Sequence, residues 1–231
     1  MNYNSEENPT DMSSFKNSKM KTKVYNIIFK EILNGVFKPG DKILIKDLSK
    51  KYGVSTTPIR EALSKLNNEG ILNKEPYKSY EIKRYPNEEI EKIYQARIII
   101  ESQVAKLAAK KFDGSFANKF QEILSKSEQV INNKDYELFN QYNSEFHFTL
   151  FKVADNDYLF NMIKNINQHI IVLNHQAFLN ASDDYKKSRF SQALNEHKKI
   201  YDCLKHNDKS KIAEFIKEHL EASLSRFKNI D

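Results

Sequence analysis

Apolar residues recur with a helical period along most of the chain. Val24, Ile27, Ile28, Ile32 and Leu33 make the stripe of a first helix, which Asn34-Gly35 ends. Pro39-Gly40 turns the chain into a short second helix, with Ile43, Leu48 and Tyr52 on one face. After a tight turn at Gly53, Ile59, Ala62, Leu63 and Leu66 define a third helix that stops at Gly70. Its start is marked by Thr57 as a cap and by Pro58 at the first helical position, where a missing N–H leaves nothing unpaired. Ile71-Leu72 and Tyr80-Glu81-Ile82, separated by Pro76-Tyr77-Lys78-Ser79, read as the strands of a small β-hairpin. Two helices a few residues apart have the spacing of a helix-turn-helix, and the hairpin after the third helix makes it winged. Such a motif presents the start of its second helix to a DNA groove, and Arg60 stands there.

Glycine and proline divide the chain in two. Gly35, Gly40, Gly53 and Gly70, with Pro39, Pro58, Pro76 and Pro86, crowd into the region just described. The 145 residues after Pro86 hold no proline and a single glycine, Gly114, which predicts helices throughout. Six are expected, over 87–112, 115–132, 134–154, 156–179, 182–206 and 208–229, joined by short turns into an antiparallel bundle. The expected fold is therefore mainly α. A polar, flexible tail over 1–17 precedes a winged helix-turn-helix domain over 18–85 and an all-α antiparallel helical bundle over 86–231.

Charge follows the same division. Residues 1–85 carry 16 Lys and Arg against 10 Asp and Glu, so the whole formal charge of +6 belongs to the winged segment. A local basic excess suits a segment that meets phosphate, although a solvated lysine-rich surface reads the same way without the motif beside it. The lone Cys203 excludes an intramolecular disulfide and fits a reducing cytoplasm. No apolar run is long enough to span a bilayer, so no membrane partner is expected.

In the predicted bundle the polar residues are the informative ones. Asn143 and His147 share a helical face with Phe139, Phe146 and Leu150. His197 lies among Leu194, Tyr201 and Leu204, and His219 among Ile212, Phe215 and Ile216. One inward histidine is more often a core residue than a ligand. Three of them on three helices, one paired at i and i+4 with the amide oxygen of Asn143, form a borderline-soft donor set suited to zinc, nickel or manganese. Arg97 shares a mostly inward face with Tyr94, Glu101 and Val104. It is expected either to pair with Glu101 one turn away or to grip the carboxylate of a bound effector in a planar fork. His169 and His175 flank the same region and are expected to line that pocket, whereas His206 reads as a surface residue.

Two resemblances bear on these residues. Asn34-Gly35, Pro39-Gly40-Asp41, the run from Val54 to Leu63, and Leu66 with Glu69-Gly70-Ile71-Leu72 resemble the signature of the GntR family of bacterial transcription regulators across residues 22–84. The resemblance implies DNA contacts at Lys46, Ser55, Thr56, Thr57, Arg60, Lys78 and Ser79. The family usually carries arginine where Thr56 stands and glycine where Ser79 stands. Residues 87–226 resemble the FCD ligand-binding domain of the family's FadR branch, an all-helical bundle that often holds a metal through one aspartate and three histidines. Asn143, His147, His197 and His219 fall on those four positions, with a neutral amide in the aspartate's place. The implied function is a sequence-specific DNA-binding regulator controlled by a small organic acid. A homodimer on a palindromic double-stranded operator is expected, because one short recognition helix reads few bases. The competing reading, a helical-bundle metalloenzyme with an accessory nucleic-acid-binding domain, lacks an obvious carboxylate base beside the histidines.

Overall fold

The computed structural model of the chain describes residues 12–76, 79–225 and 227. The chain divides into two compact units, Met1–Arg84 and Tyr85–Asp231. Residues 1–11 of the expected tail lie outside the described residues. The remainder of that tail is helical, because α1 spans Met12–Leu33. The stretch 12–18 contains neither glycine nor proline, so a helix nucleated at the buried Val24 and Ile28 extends backwards through it at little cost.

The first unit continues with β1 (Lys42–Leu44), α2 (Ile45–Tyr52), α3 (Thr56–Asn68), β2 (Leu72–Glu75) and β3 (Ser79–Ile82). The three strands form one antiparallel sheet in the order β1-β3-β2. Ile43 was expected on a helix. It stands instead in β1 opposite Tyr80, and both side chains are buried. The helix starts two residues later because Ile43 finds its apolar partners across the sheet, while Ile45 and Leu48 supply the buried face of α2. Val24, Ile28 and Ile32 of α1 close over Ile59, Leu63 and Leu66 of α3, all fully buried or nearly so. Cross-links at the surface are polar: Tyr25 donates to Glu69 and Tyr52 to Glu31, at 2.6 and 2.7 Å.

The turn between α2 and α3 is built on Gly53, which caps α2 in the left-handed region at φ 66° and returns its N–H to the Ser49 carbonyl. The Ser49 hydroxyl donates to the Val54 carbonyl at 2.5 Å and braces the same turn. Helix α3 then opens two residues earlier than Pro58 suggests. Ser55 is the N-cap and Thr56 the first helical residue, so Thr57 is not the cap. Pro58 still lies in the first turn, where N–H groups have no intrahelical acceptor, and its ring is buried.

In the second unit, α4 (Asn87–Lys111), α5 (Ala117–Asn132), α6 (Tyr136–Ala154), α7 (Asp157–Phe178), α8 (Asp183–Lys205) and α9 (Lys209–Leu224) form an all-helical bundle. Side-chain caps fix most of the starts: Asp135, Asn156, Ser182 and Asp208 each accept from the backbone N–H three residues on. Helix α4 is central and packs against α6, α7, α8 and α9. Helix α9 ends at Leu224 rather than at 229. The Ala222 carbonyl there is taken by the Ser225 hydroxyl and by Arg189, both at 2.9 Å, which satisfies an end carbonyl and lets the helix stop.

Because a Cβ at Gly53 would meet no atom within 4 Å, the only cost of Gly53→Ala is the left-handed backbone. The variant is expected to lose about 1–2 kcal/mol of stability to denaturant, with the slope of the transition unchanged.

Candidate functional site

The surface at the start of α3 is polar, exposed and largely unengaged. Ser55, Thr56, Thr57 and Arg60 are exposed together, and Lys46 is exposed near the start of α2. Arg60 does not pair with Glu61, whose carboxylate lies 3.9 Å from Lys21 of α1. Among the described residues the Arg60 guanidinium has no ion-pair partner. A helix N-terminus flanked by hydroxyls and a free guanidinium suits phosphate and base edges alike. Two expected members of this surface stand apart. Lys78 lies outside the described residues. Ser79 is buried, and its hydroxyl donates to the Pro76 carbonyl at 2.8 Å, so that it shapes the turn of the wing instead of facing outward. A hydroxyl that can bond back to a carbonyl three residues earlier satisfies itself locally, as serines in turns do.

In the helical unit, His147 of α6, His197 of α8 and His219 of α9 are brought together, and all three are buried. One nitrogen from each lies within 4.8 Å of the other two. The rings pack as a cluster, with centroids 4.7 to 5.2 Å apart, and Phe146 stacks on His197 at 4.1 Å. Two carboxylates sit behind it. Glu196 Oε2 is 2.7 Å from His219 Nδ1, and Glu101 Oε2 is 2.5 Å from His147 Nδ1, the latter without the alignment of a good hydrogen bond. A carboxylate acceptor holds the ring proton on the nitrogen it faces. The Nε2 atoms of His147 and His219 face one another at 3.2 Å, a separation that a shared proton or an ion between them would satisfy. His197 Nε2 is buried with no partner at all. Burial, reinforced by the neighbouring His219 and His147, pushes the His197 imidazole well below its usual range and so favours the neutral ring.

With His147 and His219 both protonated on Nδ1, two facing lone pairs beside the unpartnered His197 nitrogen are unfavourable unless a cation or an added proton lies among them. The 3.2 Å separation is close to the roughly 3.3 Å between nitrogens bound about 2.0 Å from a tetrahedral ion. The donor set therefore fits a transition metal.

Beside the cluster a narrow cavity of about 10 Å³, room for one water molecule, is lined by Arg97, Glu101, Asn143 and His147 with residues of α7 including Asn167. Asn143 is half-buried one turn before His147. Arg97 is buried, and it takes up the intrahelical pairing with Glu101 by donating its Nε–H to that carboxylate. Burial alone would discharge Glu101. The Arg97 guanidinium, aided by His147, overrides it and holds the carboxyl down to about 2. His169 and His175 are not among the residues lining this cavity. His169 Nδ1 is bonded to the Tyr85 hydroxyl at 2.7 Å, and its ring meets Tyr85 edge-on. His175 is half-buried nearer the end of α7, where burial lowers its pKa and Glu137 partly offsets that. Helical spacing placed both on α7 but could not say which side faced the cavity. Glu196 escaped sequence reading entirely, although its position immediately before His197 and its reach to His219 make it part of the cluster.

These sites coincide with two family models. The model for "Bacterial regulatory proteins, gntR family" matches residues 20–82, and that for the FCD domain matches residues 92–222, more than half of the chain. The chain belongs to the GntR family and carries an FCD domain. Among relatives of this GntR-family chain, the HTH-type transcriptional regulator YdhC of Bacillus subtilis is 28% identical over 89% of this chain and 90% of its own length. The HTH-type transcriptional repressor RspR of Escherichia coli is 23% identical over 86% and 84%. The solved structure of E. coli McbR/YncC superposes with a TM-score of 0.76 at 21% identity, covering 91% of this chain and 99% of that one. A GntR regulator from Rhodococcus sp. RHA1 gives a TM-score of 0.74 at 18% identity, over 92% and 100%. This GntR-family chain is thus a DNA-binding transcription regulator, and the metalloenzyme reading is not favoured. No described helix is long and apolar enough to cross a membrane.

The buried Arg97–Glu101 pair sets a stability test. Glu101→Ala leaves a guanidinium in the core without its carboxylate and is expected to cost about 3–5 kcal/mol in denaturant unfolding. The double variant Arg97→Met with Glu101→Leu removes both charges and should recover most of that loss.

Proposed function

We propose that this regulator senses a small organic acid at a divalent transition metal held by His147, His197 and His219, with Asn143 as a further oxygen donor, and that the acid controls operator affinity. The observation that carries this reading is the set of buried, converging imidazole nitrogens, one from each of three helices, with carboxylates behind two of the rings and no partner for His197 Nε2. Zinc, nickel and manganese all suit imidazole with a neutral oxygen. When bound, the ion supplies positive charge and open positions for a carboxylate. That charge is needed, because Arg97 is already balanced by Glu101. Arg97 still offers N–H donors beyond the one given to Glu101, enough to orient a carboxylate at the cavity wall.

Cavity size supports a switch. A space for one water cannot hold an organic acid, so the walls supplied by α4, α6 and α7 must part on binding. An effector that binds only the opened arrangement shifts the equilibrium by its differential affinity, typically about 1–3 kcal/mol of coupling to a second site. On the DNA side we assign base reading to Arg60 with Thr56 and Thr57, and phosphate contacts to Lys46 and Ser55. The protein acts in the cytoplasm as a homodimer on a palindromic operator, which doubles the base contacts of one short helix.

Arg60→Ala should weaken operator binding by about 1–3 kcal/mol while leaving binding to random DNA nearly unchanged, as a base-edge contact does. Equal losses on both DNAs, measured by anisotropy titration, would reassign Arg60 to the phosphates. For the metal, elemental analysis of protein from metal-replete growth should find about one transition-metal ion per chain. His147→Ala, His197→Ala or His219→Ala should each remove most of it, and Asn143→Asp should tighten it by adding an anionic oxygen. The same three histidine variants should lose any shift in operator affinity that a panel of di- and tricarboxylates produces in the wild type. A metal-free wild type would rule out this reading of the cluster.

A further inference from the structure

Helix α8 carries a polar chain that ends on Glu196. Arg189, Gln192 and Glu196 stand at i, i+3 and i+7 on one face of the helix. Arg189 Nη1 donates to Gln192 Oε1 at 2.9 Å, and Gln192 Nε2 donates to Glu196 Oε1 at 2.9 Å. The other carboxylate oxygen of Glu196 accepts from His219 Nδ1 at 2.7 Å. At the opposite end, Arg189 Nη2 donates to the Ala222 carbonyl at 2.9 Å. Both ends of the chain therefore land on α9, three residues apart, and close a ring of hydrogen bonds between α8 and α9.

From this ring we infer that Glu196 is a positioning residue: it holds His219 as the Nδ1–H tautomer, with Gln192 and Arg189 bracing its carboxylate against α9. The inference rests on the metal reading above and specifies how one ligand is prepared for the ion. Each oxygen of Glu196 already has a partner, one on Gln192 and one on His219, so its carboxylate acts from outside the donor set. Neutral imidazole in water favours the proton on Nε2, which would block the nitrogen that faces His147. A charged acceptor at Nδ1 reverses that preference and frees Nε2. The brace also constrains rotation of the carboxylate, since a shift of Glu196 away from His219 would break its bond to Gln192. His147 has a carboxylate in the same role, but Glu101 is shared with Arg97. Glu196 gives one carboxylate oxygen to His219 and the other to Gln192.

The test reads the tautomer and the metal separately. Long-range proton–nitrogen correlation spectra of labelled, chelator-treated full-length protein should show His219 protonated on Nδ1. In Glu196→Ala the proton should move to Nε2. Co²⁺ titrations followed by visible absorption should show affinity falling about 10- to 100-fold in Glu196→Ala, as loss of an outer carboxylate partner does. Glu196→Gln keeps the shape and an acceptor oxygen, so it should fold as the wild type does, retain the tautomer and bind Co²⁺ several-fold more weakly. Thermal unfolding of the metal-free proteins monitors folding independently. A wild-type His219 protonated on Nε2 overturns the proposal, as does unchanged Co²⁺ affinity in both Glu196 variants. A wild type that shows the Nδ1–H tautomer but binds no Co²⁺ overturns the metal reading, and this positioning role with it.

Discussion

Packing three imidazoles around a common point inside an apolar bundle is the constraint that organises the helical unit. Each ring comes from a different helix, and all are largely shielded from water. Imidazole nitrogens that converge without protons between them repel, so such a cluster needs a cation or a proton at its centre. Carboxylates stand on the far sides of two of the rings, Glu101 from α4 and Glu196 from α8. Glu101 would itself be costly to bury, and Arg97 on the preceding turn offsets it. The buried polar residues of this unit therefore depend on one another. Removing any one leaves a group in the core whose partner has gone, which is more expensive than never having built the pair.

The winged unit follows the opposite design. The side chains proposed to meet DNA, Lys46, Ser55, Thr56, Thr57 and Arg60, are exposed, and Glu61 beside Arg60 is turned toward Lys21. Their placement relies on backbone geometry: the left-handed Gly53, the Ser49 brace and the buried Pro58 together set where α3 begins. Thus the histidine cluster is fixed by side-chain partners in a core, and the start of α3 by a turn beneath a solvated surface.

Much of this was legible in sequence because it depends on periodicity and punctuation. The apolar stripes of α1 and α3 and the turns at Asp155 and Asn207 are local signals, and the inward sides of His147, His197 and His219 follow from i, i+3 and i+4 spacing alone. What escaped depends on contacts between distant segments. Ile43 is in a strand because Tyr80 lies across from it, and Ser79 is buried because of its bond to Pro76. His169 and His175 belong to a helix with apolar residues on several sides, so spacing could not decide which flank faces the cavity. Glu196 reads in sequence as a surface charge, and only the packing of α8 on α9 brings it to His219.

The most direct test of the central claim is a crystal structure of protein purified after metal-replete growth, with anomalous data collected across the absorption edges of zinc, nickel and manganese. The account predicts a single anomalous peak bonded to one nitrogen each of His147, His197 and His219, at about 2.0–2.1 Å for zinc. Full occupancy of the cluster by nothing but the three rings, with His147 and His219 joined by an N–H···N hydrogen bond and no anomalous density, would contradict it.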